Sequence, residues 1–426
     1  MISVQLQPLT GPANTSVDIP GSKSYTNRAL LMATMCREAV RILKPLVSDD
    51  TRAMLNCLKT LGIKVEEKSD EITVIGHITD VKNQDYELDA DLSGTTIRFM
   101  LALSCVLPGV QTLVGKEGLN KRPIKDLVDG LRQLGAKIEY LEKEGFPPLR
   151  VSSYELNPGT IRLKGGVSSQ FLSAILMIVP QVGDVTLEVE GEQISKPYID
   201  MTIDTMSRFG VSVANLNYQR YRVSVGQVYQ GTEYTVEGDV SSASYFAAIA
   251  ALTKSRITLA NMNPQSVQAD MHFFHILEDM GASVSYEKDR IVVVGNGVMP
   301  MEVDMENCPD QAQTMAVLSA FAPGVTKLSG VRSLRLKETE RVKALEAELA
   351  KMGIKTESTE DMLTIYGGSP KAAAIDTYGD HRMAMSFAVA GAMLDGMQIN
   401  DFGVVGKTFP QFWEKLESIG VGVKRV

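Results

Sequence analysis

Lys23 and Arg28 stand five positions apart in PGSKSYTNRALL (residues 20–31), among small hydroxyl residues and just ahead of an apolar run. A glycine-lysine-serine grouping at a helix start suits a phosphate. The first-turn N–H groups there are unpaired, and the helix end carries partial positive charge. This is not the Walker loop, because Ser22 separates Gly21 from Lys23 and Ser16 stands where the first glycine is needed. GNGVMP (295–300) fails the dinucleotide fingerprint, since Pro300 takes the third glycine position. No Gly-x-Ser-x-Gly elbow and no His-Glu-x-x-His run is present. A nucleotide hydrolase, a dehydrogenase and a zinc hydrolase are thereby disfavoured. Other charged groups with suggestive placement are Arg98, Arg382 and the KETER run, where Lys337 and Arg341 lie four apart so that one helical face presents both.

The elements that must hold these groups come from a repeat. LNCLKTLGIKVE, VDGLRQLGAKIE, IDTMSRFGVSVA, HILEDMGASVSY, EAELAKMGIKTE and WEKLESIGVGVK share one plan: apolar residues at helical spacing, a glycine, then alternating apolar residues. The glycines are Gly62, Gly135, Gly210, Gly281, Gly353 and Gly420, spaced by 67 to 75 residues. The pattern predicts an amphipathic helix, a left-handed cap and a strand. In the fifth copy Val342, Leu345, Leu349 and Met352 form the buried stripe. A second series interleaves, exemplified by LSGTTIRFMLALS, VSSQFLSAILMIV and GDHRMAMSFAVAGAM: a polar cap, then a small-residue helix apolar nearly all round. Such helices belong in a buried layer. Alternating runs such as EITVIG, RIVVVG and MLTIYG read as strands. Six buried helices could aim several N-termini at one cleft and so hold a multiply charged anion. Any single start taken alone is more simply a capped helix, and the cations beside these starts shift that balance.

Composition agrees with a large soluble α/β protein. The 426 residues favour two or more domains, with 44% hydrophobic and 22% charged residues. A formal net charge of −8 argues against general nucleic-acid or membrane-surface binding, so an anionic ligand needs a local cluster of cations. Cys36, Cys57, Cys105 and Cys308 show no paired spacing, and with four histidines no zinc site or disulfide framework is readable. The N-terminal stretch lacks a signal-peptide layout, and FLSAILMIVP (171–180) is too short to span a bilayer. A cytoplasmic protein is expected.

PGSKSYTNRALL, NKRPIKDLVDGLRQLG, SSQFLSAILM, SKPYIDMTI, VEGDVSSASYF, LRLKETERV, YGDHRMAM and GKTFPQFW, in that order over nearly the whole chain, resemble the 5-enolpyruvylshikimate-3-phosphate synthases. The resemblance implies a two-domain inverted α/β barrel-like fold of six βαβαββ repeats, three per domain. One domain would be 1–19 plus 238–426 and the other 20–237, with the active site in the cleft between them. It further implies enolpyruvyl transfer from phosphoenolpyruvate to the 5-hydroxyl of shikimate 3-phosphate by addition and elimination. No metal or organic cofactor, nucleic acid or membrane partner is implied, and a monomer is expected.

Carried over by motif, Lys23, Ser24, Arg28, Ser168, Ser169, Gln170, Ser195, Tyr198, Asp310, Ser333 and Lys337 are implied contacts to shikimate 3-phosphate. Lys23, Gly94, Arg122, Gln170, Arg341, Arg382 and Lys407 are implied around phosphoenolpyruvate. Asp310 matches the general base for the 5-hydroxyl, Glu338 the proton donor to the methylene carbon, and Lys23 also serves catalysis. Plainer readings exist for several of these. Lys337, Glu338 and Arg341 would form an exposed ion-pair ladder, Asp310 a helix cap after Pro309, and His381 a satisfied core histidine. Phe409 and Trp413 are expected to pack a helix end, and the Met-rich 383–393 stretch to be core.

The resemblance is weakest at DLSGTTIRFM, which keeps Gly94, Thr95 and Arg98 but has Leu92 in place of an asparagine and Phe99 in place of a proline. Loss of that proline changes the first turns of a helix in the phosphoenolpyruvate pocket. Ser333 stands where asparagine is frequent, and Gly379 is a milder variation. The nearest alternative is the enolpyruvyl transferase acting on UDP-N-acetylglucosamine, which carries a lysine-asparagine pair and a loop cysteine. Here the pair is Lys23-Ser24, and GKEGLNKRP has no cysteine. A non-catalytic anion-binding paralogue is disfavoured by retention of Asp310 and Glu338. An RNA-end-processing enzyme is disfavoured by six repeats and acidic charge.

Overall fold

The computed structural model describes residues 2–152, 155–166 and 168–426. The chain forms two compact units, Met1–Pro20 with Glu237–Val426 and Gly21–Val236. Each contains three four-stranded sheets, and all six sheets share one order: a parallel outer pair followed by two antiparallel pairings. In the second unit, Glu233–Thr235 pairs parallel with Val40–Leu43, so the last strand of that segment closes onto its first. In the first unit, Asn14–Asp18 runs parallel to Arg256–Ala260, and Ser3–Gln7 lies antiparallel to Gln398–Asn400 and Gly422–Arg425. The opening residues thus complete two sheets of the C-terminal half.

The two helix series are both present. Lys23–Ala33, Gly94–Ser104 and Ser169–Val182 in one unit, and Val240–Thr253, Ala312–Phe321 and His381–Gly391 in the other, bury nearly every side chain. Their alanines, serines and threonines permit burial on all sides, since hydroxyls return bonds to carbonyls within the helix, as Ser319 does to Met315. The partner series, which includes Asp49–Thr60 and Arg341–Lys351, is amphipathic. Val342, Leu345, Leu349 and Met352 are each fully buried. The six repeat glycines follow these helices with φ between +79° and +110°, the left-handed region that only glycine enters without strain.

The buried helices begin on side-chain caps in four cases. Ser93, Ser168, Asp239 and Asp380 accept backbone N–H bonds from Thr96, Gln170, Ser242 and Arg382. Ser22 and Gln311, which precede the other two, cap nothing with their side chains. No described helix is long and apolar enough to cross a membrane.

Candidate active site

In the Gly21–Val236 unit the Gly94–Ser104 helix is the hub. Lys23, the first residue of its own helix, pairs with Asp50 at 3.2 Å, and the Asp50 carbonyl accepts from Thr96 at 3.2 Å. Arg98 donates to Gln170 Oε1, whose Nε2 donates to Thr95 at 3.3 Å. Gly94 opens the helix against Arg122: a Cβ there would lie 2.7 Å from Nη1. Ser168 caps the Ser169–Val182 helix, and Ser195 precedes Lys196–Arg208 in a left-handed conformation (φ 53°, ψ 40°) without a side-chain cap bond. A non-glycine residue occupies that region only where its surroundings hold it there.

Arg28 is the most informative group of this unit. Its side chain is buried, with Nε donating to Thr202 Oγ1 at 2.8 Å, Nη1 to the Ser24 carbonyl at 3.0 Å and Nη2 to the Tyr198 carbonyl at 3.1 Å. No carboxylate pairs with it among the described residues. Burial accordingly pulls its pKa down to about 10, opposed only by nearby tyrosines. A guanidinium carries five N–H groups, so one on each Nη remains for an incoming anion.

The other unit holds a denser network. Arg341 is buried and donates through Nε to Asp380 at 2.7 Å, through Nη2 to Glu338 at 2.9 Å and through Nη1 to Asp310 at 3.4 Å. Arg382 Nη2 donates to Asp310 Oδ2 at 2.7 Å, and Lys407 pairs with Glu338 at 3.0 Å. Three carboxylates therefore face three cations. Burial pulls the Arg341 pKa down, but Asp380, Glu338 and Asp310 together outweigh it and hold it above the ordinary arginine value. The Asp310 side chain is 22% exposed and Glu338 16%, against 0% for Asp380, so the first two are the carboxylates a ligand can reach.

Behind them, Asp270 is buried and accepts from Ser241. Desolvation, with Asp310 adding to it, raises its pKa to about 6. Tyr245 is likewise pushed up to about 12 by burial, against Arg382 at 3.4 Å.

Three local expectations need correction. Lys337 and Arg341 do not share a helical face. Lys337 ends the 3-10 turn Arg332–Leu336, which also carries Ser333, whereas the α-helix starts at Arg341 because Glu340 accepts the Lys343 N–H at 2.5 Å. Nor do Glu338 and Arg341 form an exposed ladder, since Arg341 is 1% exposed. Asp310 lies in the 3-10 turn Pro309–Gln311, where its carboxylate meets arginines and caps no helix. His381 is buried, 3.6 Å from Asp380. Phe409 and Trp413 pack at a helix end, with Trp413 Nε1 donating to the Phe402 carbonyl at 3.0 Å. Asp380, Thr202 and Asp270 were not singled out in the sequence. Of these only Asp380 carried a signal, as the acid directly preceding His381 and Arg382. Among the described residues no group of three or more His, Cys, Asp or Glu side chains is placed to hold a metal ion.

This geometry can be set beside known proteins. The family model for EPSP synthase (3-phosphoshikimate 1-carboxyvinyltransferase) matches residues 9–416. The chain belongs to the EPSP synthase family. A Sulfurovum sp. protein named 3-phosphoshikimate 1-carboxyvinyltransferase is 43% identical over 425 residues, covering 98% of this chain and 99% of that one. A Shewanella amazonensis protein of the same name is 41% identical, with the same coverage. The EPSP synthase structure from Acinetobacter baumannii superimposes with a TM-score of 0.84 at 24% identity, covering 100% of both chains, a likeness of fold. The expected inverted α/β architecture and the expected family therefore both stand. The chain is an enolpyruvyl transferase of the shikimate pathway, and the UDP-N-acetylglucosamine alternative is not favoured.

Proposed function

We propose that the two constellations serve one reaction, the transfer of the enolpyruvyl group of phosphoenolpyruvate to the 5-hydroxyl of shikimate 3-phosphate. Lys23, Ser24, Arg28, Ser168, Ser169, Gln170, Ser195, Tyr198, Asp310, Ser333 and Lys337 bind shikimate 3-phosphate. Lys23, Gly94, Arg122, Gln170, Arg341, Arg382 and Lys407 surround phosphoenolpyruvate. Asp310 takes the 5-hydroxyl proton as that oxygen bonds to the central carbon of phosphoenolpyruvate, and Glu338 gives a proton to the methylene carbon. The adduct then collapses: a proton leaves the new methyl group, the carbon–oxygen bond to phosphate breaks and inorganic phosphate departs. The surrounding cations stabilise the negative charge that the phosphate carries away. In this reading the enzyme is a cytosolic monomer working on two small molecules.

The observation that carries the reading is that one buried guanidinium, Arg341, donates to both Asp310 and Glu338. Two carboxylates given opposite proton-transfer roles are thereby held in fixed relation, each partly exposed. Phosphate release with shikimate 3-phosphate or UDP-N-acetylglucosamine as acceptor tests it. Release with the first acceptor alone is expected, and release with the second alone would overturn the reading.

A further inference from the structure

The Arg28 guanidinium lies over the Phe99 ring, its Cζ 5.4 Å from the ring centroid, and Phe99 is fully buried in the Gly94–Ser104 helix. The edges of the guanidinium are bonded in its plane, to Thr202 on the Lys196–Arg208 helix and to the Ser24 and Tyr198 carbonyls. Thr202 itself donates to the Tyr198 carbonyl at 3.0 Å and lies 2.8 Å from the Ser173 hydroxyl on the Ser169–Val182 helix. Three helices of the unit therefore meet on the Arg28 side chain, and Thr202 ties a fourth to it. Every hydrogen-bond partner of that cation among the described residues is neutral, so the negative face of the Phe99 ring adds to what the two carbonyls supply before an anion arrives.

We infer that Phe99 is a positioning residue for shikimate 3-phosphate, holding the Arg28 guanidinium by cation–π contact in the plane from which its two remaining N–H groups grip the ligand. The inference rests on the proposed role of Arg28. An aliphatic residue at 99 would keep the site apolar, but it would leave the desolvated cation with carbonyl and hydroxyl partners only. The guanidinium would then tilt toward water, and the ligand would have to reorder it on binding.

Replacing Phe99 with phenylalanines bearing one, two and three ring fluorines tests this, because fluorination drains the ring's negative face with little change of size. Calorimetric affinity for shikimate 3-phosphate should fall with each fluorine. Phe99→Leu should bind roughly tenfold more weakly. The KM for phosphoenolpyruvate should stay within about twofold in every variant. A flat fluorine series alongside an Arg28→Gln variant that loses binding would overturn the role of Phe99 and leave that of Arg28 intact. Should the unaltered chain not bind shikimate 3-phosphate, the substrate reading fails, and melting temperatures of the ligand-free fluorinated series still decide the contact. A stepwise fall supports it, and a flat series overturns it.

Discussion

Gly94 lies against the Arg122 guanidinium so closely that a Cβ at position 94 would fall 2.7 Å from Nη1 and 3.0 Å from Cζ. No real Cβ tolerates such an approach, so Gly94→Ala must displace Arg122. With Arg122 assigned to phosphoenolpyruvate, the KM for phosphoenolpyruvate should rise roughly tenfold, the scale of removing one charge-assisted hydrogen bond. Affinity for shikimate 3-phosphate should hold within about twofold. Initial-rate kinetics with each substrate varied in turn separate the two, and an unchanged KM for phosphoenolpyruvate would count against the assignment.

Asp380 is the buried anchor of Arg341, accepting at 2.7 Å with neither side chain reached by solvent. Asp380→Asn keeps the size and removes the counter-charge. Removing one partner of a buried pair strands the other, so the unfolding free energy should drop by about 3 kcal/mol. Turnover should fall too, because Arg341 also orients Asp310 and Glu338. Urea unfolding measures the first effect; an unmoved midpoint would mean that the pair adds nothing to the fold.

Asp270 gives a pH dependence with a defined sign. Its folded-state pKa is raised to about 6 by desolvation and by Asp310, above the unfolded carboxylate value. The folded chain therefore binds this proton more tightly than the unfolded chain. The stabilisation is fully present below the unfolded pKa and is lost as pH rises through about 6. Asp270→Asn, which stays neutral and can still accept from Ser241, should be the more stable protein above pH 6, by about 2 kcal/mol. The advantage should shrink toward pH 4. Melting temperatures of both proteins across pH 4–8 check this, and a constant difference would refute it.

What could be read in the sequence followed from local rules with few exceptions. Gly62 and its five counterparts were visible because a helix that turns directly into a strand needs a positive-φ residue, and glycine marks the place. The buried helices were visible because alanine, serine and methionine on every face leave no solvent side. Pairing between distant residues was not visible. Asp380 precedes an arginine in sequence but serves Arg341, thirty-nine positions away, and nothing in the spacing announces that. Lys337 and Arg341 looked coaxial until Glu340 started the helix between them. Phe99 read as a missing proline. Its actual neighbour, Arg28, belongs to another helix and is met only through packing.

The central claim is that Asp310 and Glu338 move the protons of the reaction, and Asp310→Asn tests it most directly. The amide keeps the shape but cannot take the hydroxyl proton, while Lys23, Arg28 and Ser168 are untouched. Shikimate 3-phosphate affinity by calorimetry should change less than about threefold, while phosphate release falls roughly a hundredfold or more, the scale of general acid–base catalysis. Glu338→Gln should show the same division. Near-normal turnover in both variants, or equal losses in binding and turnover, would contradict the assignment.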